Sequence, residues 1–234
     1  SHHLDSNACM FRYNPKSGEV KMIGNMNELV GEDRKKVYSQ GKVHCDIYEH
    51  GGKLWFGTHC GSWVRGGSKE RGPYPGGHFM SYDLATGKFD DLGIGQKEQG
   101  LLALTMDPAR GRLYAITWPD LIFMYYDIAS KKIQSFGTGV SAPGVKDLVN
   151  AIGPRSLGLD PRTGMLFWDN PDNTVRCFDP AKDAIVPLEK PKLDRGILAF
   201  EAPAARGTFW RAIRWNDAAK RFYGVTYKGE YLFS

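Results

Sequence analysis

One corner motif, returning along the chain, restricts what this sequence can fold into more than any other feature. An aromatic residue, Asp or Asn, two residues, a polar turn and an apolar residue recur as "YNPKSGEV" at Tyr13, "YDLATGKF" at Tyr82, "YDIASKKI" at Tyr126 and "FDPAKDAI" at Phe178. Each copy reads as a strand, a tight turn led by Asp or Asn, and a second strand. Between the copies falls another hairpin pattern: "IYEHGGKLWFGTH", "LTMDPARGRLYAITW", "LGLDPRTGMLFWDN" and "IRWNDAAKRFYGVTY". The two alternate, giving a four-stranded unit of about 40 to 50 residues, the size of one propeller blade.

The expected fold is therefore all-β: a β-propeller of four-stranded antiparallel blades in a single domain over residues 1–234. Complete blades are expected at residues 43–93, 100–136 and 155–188, with partial ones at 1–23 and 209–234. A propeller of six or seven blades needs roughly 100 further residues, so about five blades represented here predict a domain incomplete at both ends. Helical periodicity is nearly absent, and residues 140–151 are the best candidate for a short helix or inserted loop.

Composition removes several function classes. No apolar run is long enough to span a membrane, and no basic-then-apolar leader opens the sequence. The net charge of +5 comes from scattered Lys and Arg, without the dense block of a nucleic-acid arm, and suits an acidic polysaccharide or oligosaccharide. Four cysteines (Cys9, Cys45, Cys60, Cys177) show no metal-ligand spacing, and Cys45 and Cys60 are close enough along the first hairpin for a disulfide to be considered.

Blade geometry puts the start of strand one, the end of strand two and the start of strand three on one face. Aligned on Leu54, Leu113, Leu166 and Phe222, the first column reads His44, Leu102, Arg155 and Arg211. The second reads His59, Trp118, Asn170 (or Asp169) and Tyr227, and His78 opens strand three of the first complete blade. A histidine at a strand end serves more often as a hydrogen-bonded structural residue than as a site residue; three in one blade on one face bring the two readings level. Arg155 and Arg211 either pair with neighbouring carboxylates or bind carboxylate and sulfate through forked hydrogen bonds. Trp118 and Trp63 are core or rim packing, or flat platforms for sugars. The Asp residues at the corners read as structural, and residues 66–77, "GGSKERGPYPGG", as a mobile loop on the same face.

Histidine takes a proton near neutral pH, tyrosine can give one, and arginine neutralises a carboxylate, which together are the needs of β-elimination from a uronic acid. No paired Asp/Glu occupies these columns, so two-carboxylate hydrolysis is less well supported. The elimination requires no cofactor, while three histidines are also a set that could hold a divalent metal ion of unknown identity.

At "KVHCDIYEHGGKLWFGTH", "GGHFMSYDLATGKFDDLG" and "LLALTMDPARGRLYAITWP" the chain resembles the propeller-type polysaccharide lyases, the ulvan lyases in particular, over roughly residues 43–188. The resemblance implies cleavage of an acidic, uronate-containing polysaccharide, sulfated or not. It implies His44 and His59 as base and carboxylate partner, Arg155 as charge neutraliser and Tyr227 as acid, with Arg211, His78, Trp118 and Asn170 holding substrate. Such lyases sometimes carry a structural metal ion. Export to the periplasm or medium is implied by the resemblance alone. Trp118 departs from the pattern, standing where a tyrosine would serve best. The competing expectations are a non-catalytic propeller binding a glycan or protein, and a metal-dependent hydrolase or lactonase propeller.

Overall fold

The computed structural model describes residues 7–61, 63–139, 153–170, 174–188, 209–227 and 232–234. The chain is all-β, built from four-stranded antiparallel sheets of the β-propeller kind, and divides into two compact units at residues 101 and 102. The helix candidate at 140–151 lies outside the described residues.

The first unit opens with a two-stranded sheet, β1 (Cys9–Tyr13) and β2 (Val20–Asn25), followed by the one-turn helix α1 (Met26–Leu29). Its four-stranded sheet runs β3 (Tyr48–His50), β4 (Lys53–Gly57), β5 (Gly76–Asp83), β6 (Phe89–Lys97) in sequential order. The second unit holds β7 (Gly100–Asp107), β8 (Arg112–Trp118), β9 (Ile122–Asp127) and β10 (Lys132–Thr138), then β11 (Gly158–Leu159), β12 (Leu166–Asp169), β13 (Val175–Asp179) and β14 (Ala184–Val186). A three-stranded sheet ends it: β15 (Phe209–Asn216), β16 (Arg221–Tyr227) and β17 (Leu232–Phe233). One expected strand is shorter than the spacing suggested: β3 begins at Tyr48, so His44 stands on the strap before it.

Seven corners share one hydrogen-bond device. The side chains of Asn14, Asp83, Asp107, Asp127, Asp160, Asp179 and Asn216 each accept a main-chain N–H two or three residues ahead, at 2.8–3.4 Å. Four residues after each, the backbone turns left-handed: Gly18, Gly87, Gly111, Lys131, Gly164, Asp183 and Lys220 all have φ between 48° and 75°. Glycine meets that geometry without a Cβ clash, which three of the seven corners forgo. The β3–β4 hairpin, "HGGK", uses the same freedom twice, at Gly51 and Gly52.

In the second unit sheet follows sheet by aromatic packing. Phe123 stacks on Trp168 at 4.7 Å and meets Phe178 at 5.0 Å, which joins the sheet of β7–β10 to that of β11–β14. Phe167 meets Phe222 at 5.6 Å, carrying the contact on to the last sheet. In the first unit Ala8, Met26, Phe56, Met80 and Tyr82 form the core. Burying a side chain of this size stabilises the fold by about 1.5–3 kcal/mol, so these contacts fix which faces turn inward.

The left-handed corner gives a direct test. Lys131 has φ +57° and is exposed, so Lys131→Gly removes Cβ strain at the expense of added freedom in the unfolded chain. A net gain of about 0.5–1 kcal/mol is expected in urea unfolding; a loss contradicts the shared-corner account.

Candidate functional site

Local structure brings His44 and His59 together. β4 ends at Gly57, but the chain stays extended: His59 pairs with Lys42 through main-chain bonds of 2.8 and 2.9 Å. The Cys45 thiol reaches the Gly57 carbonyl at 3.3 Å. The strap of residues 42–45 therefore lies along the end of strand two, with the His44 and His59 rings 5.6 Å apart between centroids. Trp63 meets the other side of His59 edge-on at 5.7 Å, and Trp63 in turn leans on Tyr74 at 4.8 Å.

The tautomer of His59 follows from geometry. The Gly61 N–H donates to His59 Nδ1 at 2.7 Å, so Nδ1 is the acceptor and Nε2 carries the proton. The ring is 2% exposed and lies over Gly100, where a Cβ would come within 2.5 Å of it. Sequence reasoning passed over Gly61 and Gly100 because neither carries chemistry. His44 is half-buried and is the member of the pair with surface to offer.

His78 belongs to a different arrangement. Its Nδ1 is 2.8 Å from Asp91 and its Nε2 3.3 Å from Glu32, in a pocket that leaves its side chain 6% exposed. Burial disfavours the imidazolium, but the hydrogen bonds to Asp91 and Glu32 outweigh it and push His78 up to about 9. Asp91 lies below the usual carboxylate range, since its bonds from His78 and the Gly93 N–H overcome the opposing effect of burial. The network continues from Glu32 to the Gln40 amide at 3.0 Å, and from Gln40 to the Tyr74 hydroxyl at 2.8 Å. The expected role of His78 in holding substrate is thus set against an ion-paired, structural placement. Among the described residues no group of three or more His, Cys, Asp or Glu stands in a metal-holding arrangement. The four cysteines are free thiols, so Cys45 and Cys60 are not bridged. Residues 66–77, expected as a mobile loop, are fastened at Gly72, which exchanges main-chain bonds with Lys36 and Tyr38.

In the second unit main-chain contacts bring Arg155 and Tyr227 to the start of β15, next to Arg211. The Arg155 N–H donates to the Trp210 carbonyl at 3.1 Å, setting the start of the third blade against the residue before Arg211. Arg155 is half-buried and Arg211 exposed. Asn170 is buried and spends its side-chain amide on the Thr174 hydroxyl at 3.2 Å, closing its own turn. The Tyr227 main chain pairs with Phe209. Trp118 is partly buried against the core of this unit. Asp169, named at the outset only as the neighbour of Asn170, is the unusual group here. It is 1% exposed, its Oδ1 has no hydrogen-bond partner, and burial pushes it up to about 7, against the main-chain bonds it accepts, from Trp210 among others.

No family model matches the sequence, and no curated protein does. Among solved structures, an extracellular domain assigned to a one-component system from B. thetaiotaomicron superposes with a TM-score of 0.56 at 13% identity, over 99% of this chain and 26% of that one. A nidogen/laminin complex superposes with a TM-score of 0.48 at 15% identity, over 94% of this chain and 64% of that one. The chain thus spans about a quarter of the length of the first structure, and at this identity the likeness shows the fold alone.

Two buried groups make stability fall with pH in successive windows. Unfolded Asp169 ionises near 3.8 but keeps its proton up to about 7 in the fold, so stability declines between those values and then levels. His78 gains stability from its partners that is complete below 6.5 and lost as pH rises through about 9. Asp169→Asn should flatten the lower decline and His78→Gln the upper, each decline having a slope of at most about 1.4 kcal/mol per pH unit in urea midpoints. A lower decline that survives Asp169→Asn contradicts the assignment.

Proposed function

We propose that the chain acts on an acidic, uronate-containing polysaccharide by β-elimination, with His44 as the base. The observation that carries this reading is the His44–His59 pair, in which the half-buried ring is braced by a buried neighbour of fixed tautomer. A neutral imidazole placed so takes the proton next to the uronate carboxylate, and the bond to the leaving sugar oxygen breaks as the double bond forms. At 2% exposure, His59 acts through His44, positioning it rather than touching the polymer. Arg155 and Arg211 of the second unit are the cations proposed to bind carboxylate or sulfate groups of the polymer. Secretion accompanies this reading, because such polymers lie outside the cell; no helix among the described residues is long and apolar enough to cross a membrane.

A second reading, a non-catalytic propeller that binds a glycan, draws support from His78. Its ion pairs remove one of the three histidines from chemistry. The likeness to an extracellular domain of a one-component system is compatible with such a role.

One assay separates the two. Appearance of ultraviolet-absorbing unsaturated uronate is followed over ulvan, polygalacturonate, alginate and glycosaminoglycans, with binding measured alongside. The first reading expects product from one polymer, a fall of at least about 100-fold in His44→Ala and little change in affinity. No product from any polymer, with affinity lost in His44→Ala, moves the assignment to a binding module.

A further inference from the structure

A base that removes the proton beside a carboxylate needs a cation close to it, because the proton and the carboxylate share one carbon of a uronate. Arg155 and Arg211 belong to the second unit. The first unit carries cations of its own beside its histidine pair.

Lys42 stands two residues before His44 on the strap, and directly opposite His59 in the bridge that holds the strap to the end of strand two. Residues facing one another across an antiparallel bridge point to one side, as do residues two apart in extended chain. The bridge thus gives Lys42 the side on which the two histidine rings meet, 5.6 Å apart. Its stem runs toward Gly61. Lys42 Cε lies 3.8 Å from where a Cβ on Gly61 would stand, and the Gly61 N–H is the donor to His59 Nδ1.

Arg71 arrives from another segment. Gly72 is bridged to Val37 and its N–H donates to the Lys36 carbonyl at 2.6 Å, which lays Arg71 alongside Tyr38, its guanidinium 6.0 Å from the ring centre. Tyr38, Cys60 and Tyr74 form one buried cluster; Trp63 packs against it and meets His59 edge-on. Cys60 registers both cations: burial pushes its thiol up to about 12, the Glu32 charge adds to that, and Arg71 and Lys42 oppose it. The Glu32 carboxylate is itself committed, to His78 at 3.3 Å and to the Gln40 amide at 3.0 Å. Lys42 and Arg71 are half-buried over an aromatic floor, where a charge-assisted hydrogen bond is worth more than in open water.

We infer that Lys42, seconded by Arg71, is the carboxylate-binding cation of the first unit, and that its ligand is a uronate held with its acidic C–H toward His44. The use of this site in elimination rests on the proposed function; its existence rests on the placement of Lys42, His59, Gly61 and Arg71.

The whole chain is titrated with galacturonate and, separately, with its uncharged methyl ester, and the ring signals of His44 and His59 are followed by NMR. Galacturonate should shift these signals saturably and the ester should not. Lys42→Met, which keeps the main-chain bonds to His59, should weaken galacturonate binding at least about tenfold, and Arg71→Met should weaken it less. Lys42→Arg, which keeps the charge, should bind as the native chain does. Galacturonate binding that depends on Lys42, with no unsaturated product from any polymer, upholds this inference and removes the elimination. Product from a polymer, with galacturonate binding indifferent to Lys42→Met, upholds the elimination and overturns the inference. Absence of galacturonate binding, or equal binding of the ester, overturns it as well.

Discussion

A side-chain oxygen of Asp or Asn, accepting the N–H groups of the turn it leads, closes seven of the hairpins in this chain. Remove it and those turn amides lose their acceptor; keep it, and the left-handed residue four positions later sends the next strand back in fixed register. The side chains of these corners also reach forward within the second unit. Arg110 bonds its own Asp107 and the Thr163 carbonyl of the next corner at 2.9 Å, and Arg162 lies 4.4 Å over the Trp215 ring. Arg112 does the same from the strand, stacked on Tyr125 at 4.3 Å and bonded to Asp183 at 3.2 Å. The corner is thus both the turn and the fastening between successive sheets, which lets a chain with little helix stack its strands in order.

The first unit adds a fastening of another kind. Glu32, Gln40 and Tyr74 come from segments that form no strand, and their hydrogen bonds to one another and to His78 secure those segments to β5 and β6. Buried charge is costly unless paired, so the network commits three segments to one arrangement. The Tyr74 ring it holds is the ring on which Trp63 leans, and Trp63 backs His59. A structural histidine therefore supports a candidate functional one.

What could be read in the sequence was what depended on near neighbours. The strand order and the corners follow from turn residues and a period of two, and the structure keeps them. The role of His78 could not be read, because its partner Glu32 lies 46 residues earlier in a stretch without periodicity. The same holds for Gly100, whose missing side chain makes room for His59. At the end of β12 the alignment pointed to Asn170, a polar residue at a strand end, while the carboxyl oxygen left without a hydrogen bond is Oδ1 of its neighbour Asp169; which oxygen of two adjacent buried polar side chains goes unbonded depends on tertiary packing. The start of β3 was misplaced by five residues because residues 43–47 alternate like a strand yet serve as the strap that carries His44.

The central claim is that His59, stacked beside His44, is a neutral ring of fixed tautomer while His78 is an ion-paired cation. Long-range proton–nitrogen NMR of the imidazole rings, followed from acidic pH to above pH 9, tests it most directly. The account predicts His59 with Nδ1 bare and Nε2 protonated at neutral pH, and His78 protonated on both nitrogens until about pH 9. A proton on His59 Nδ1, or a neutral His78 at pH 7, would contradict it.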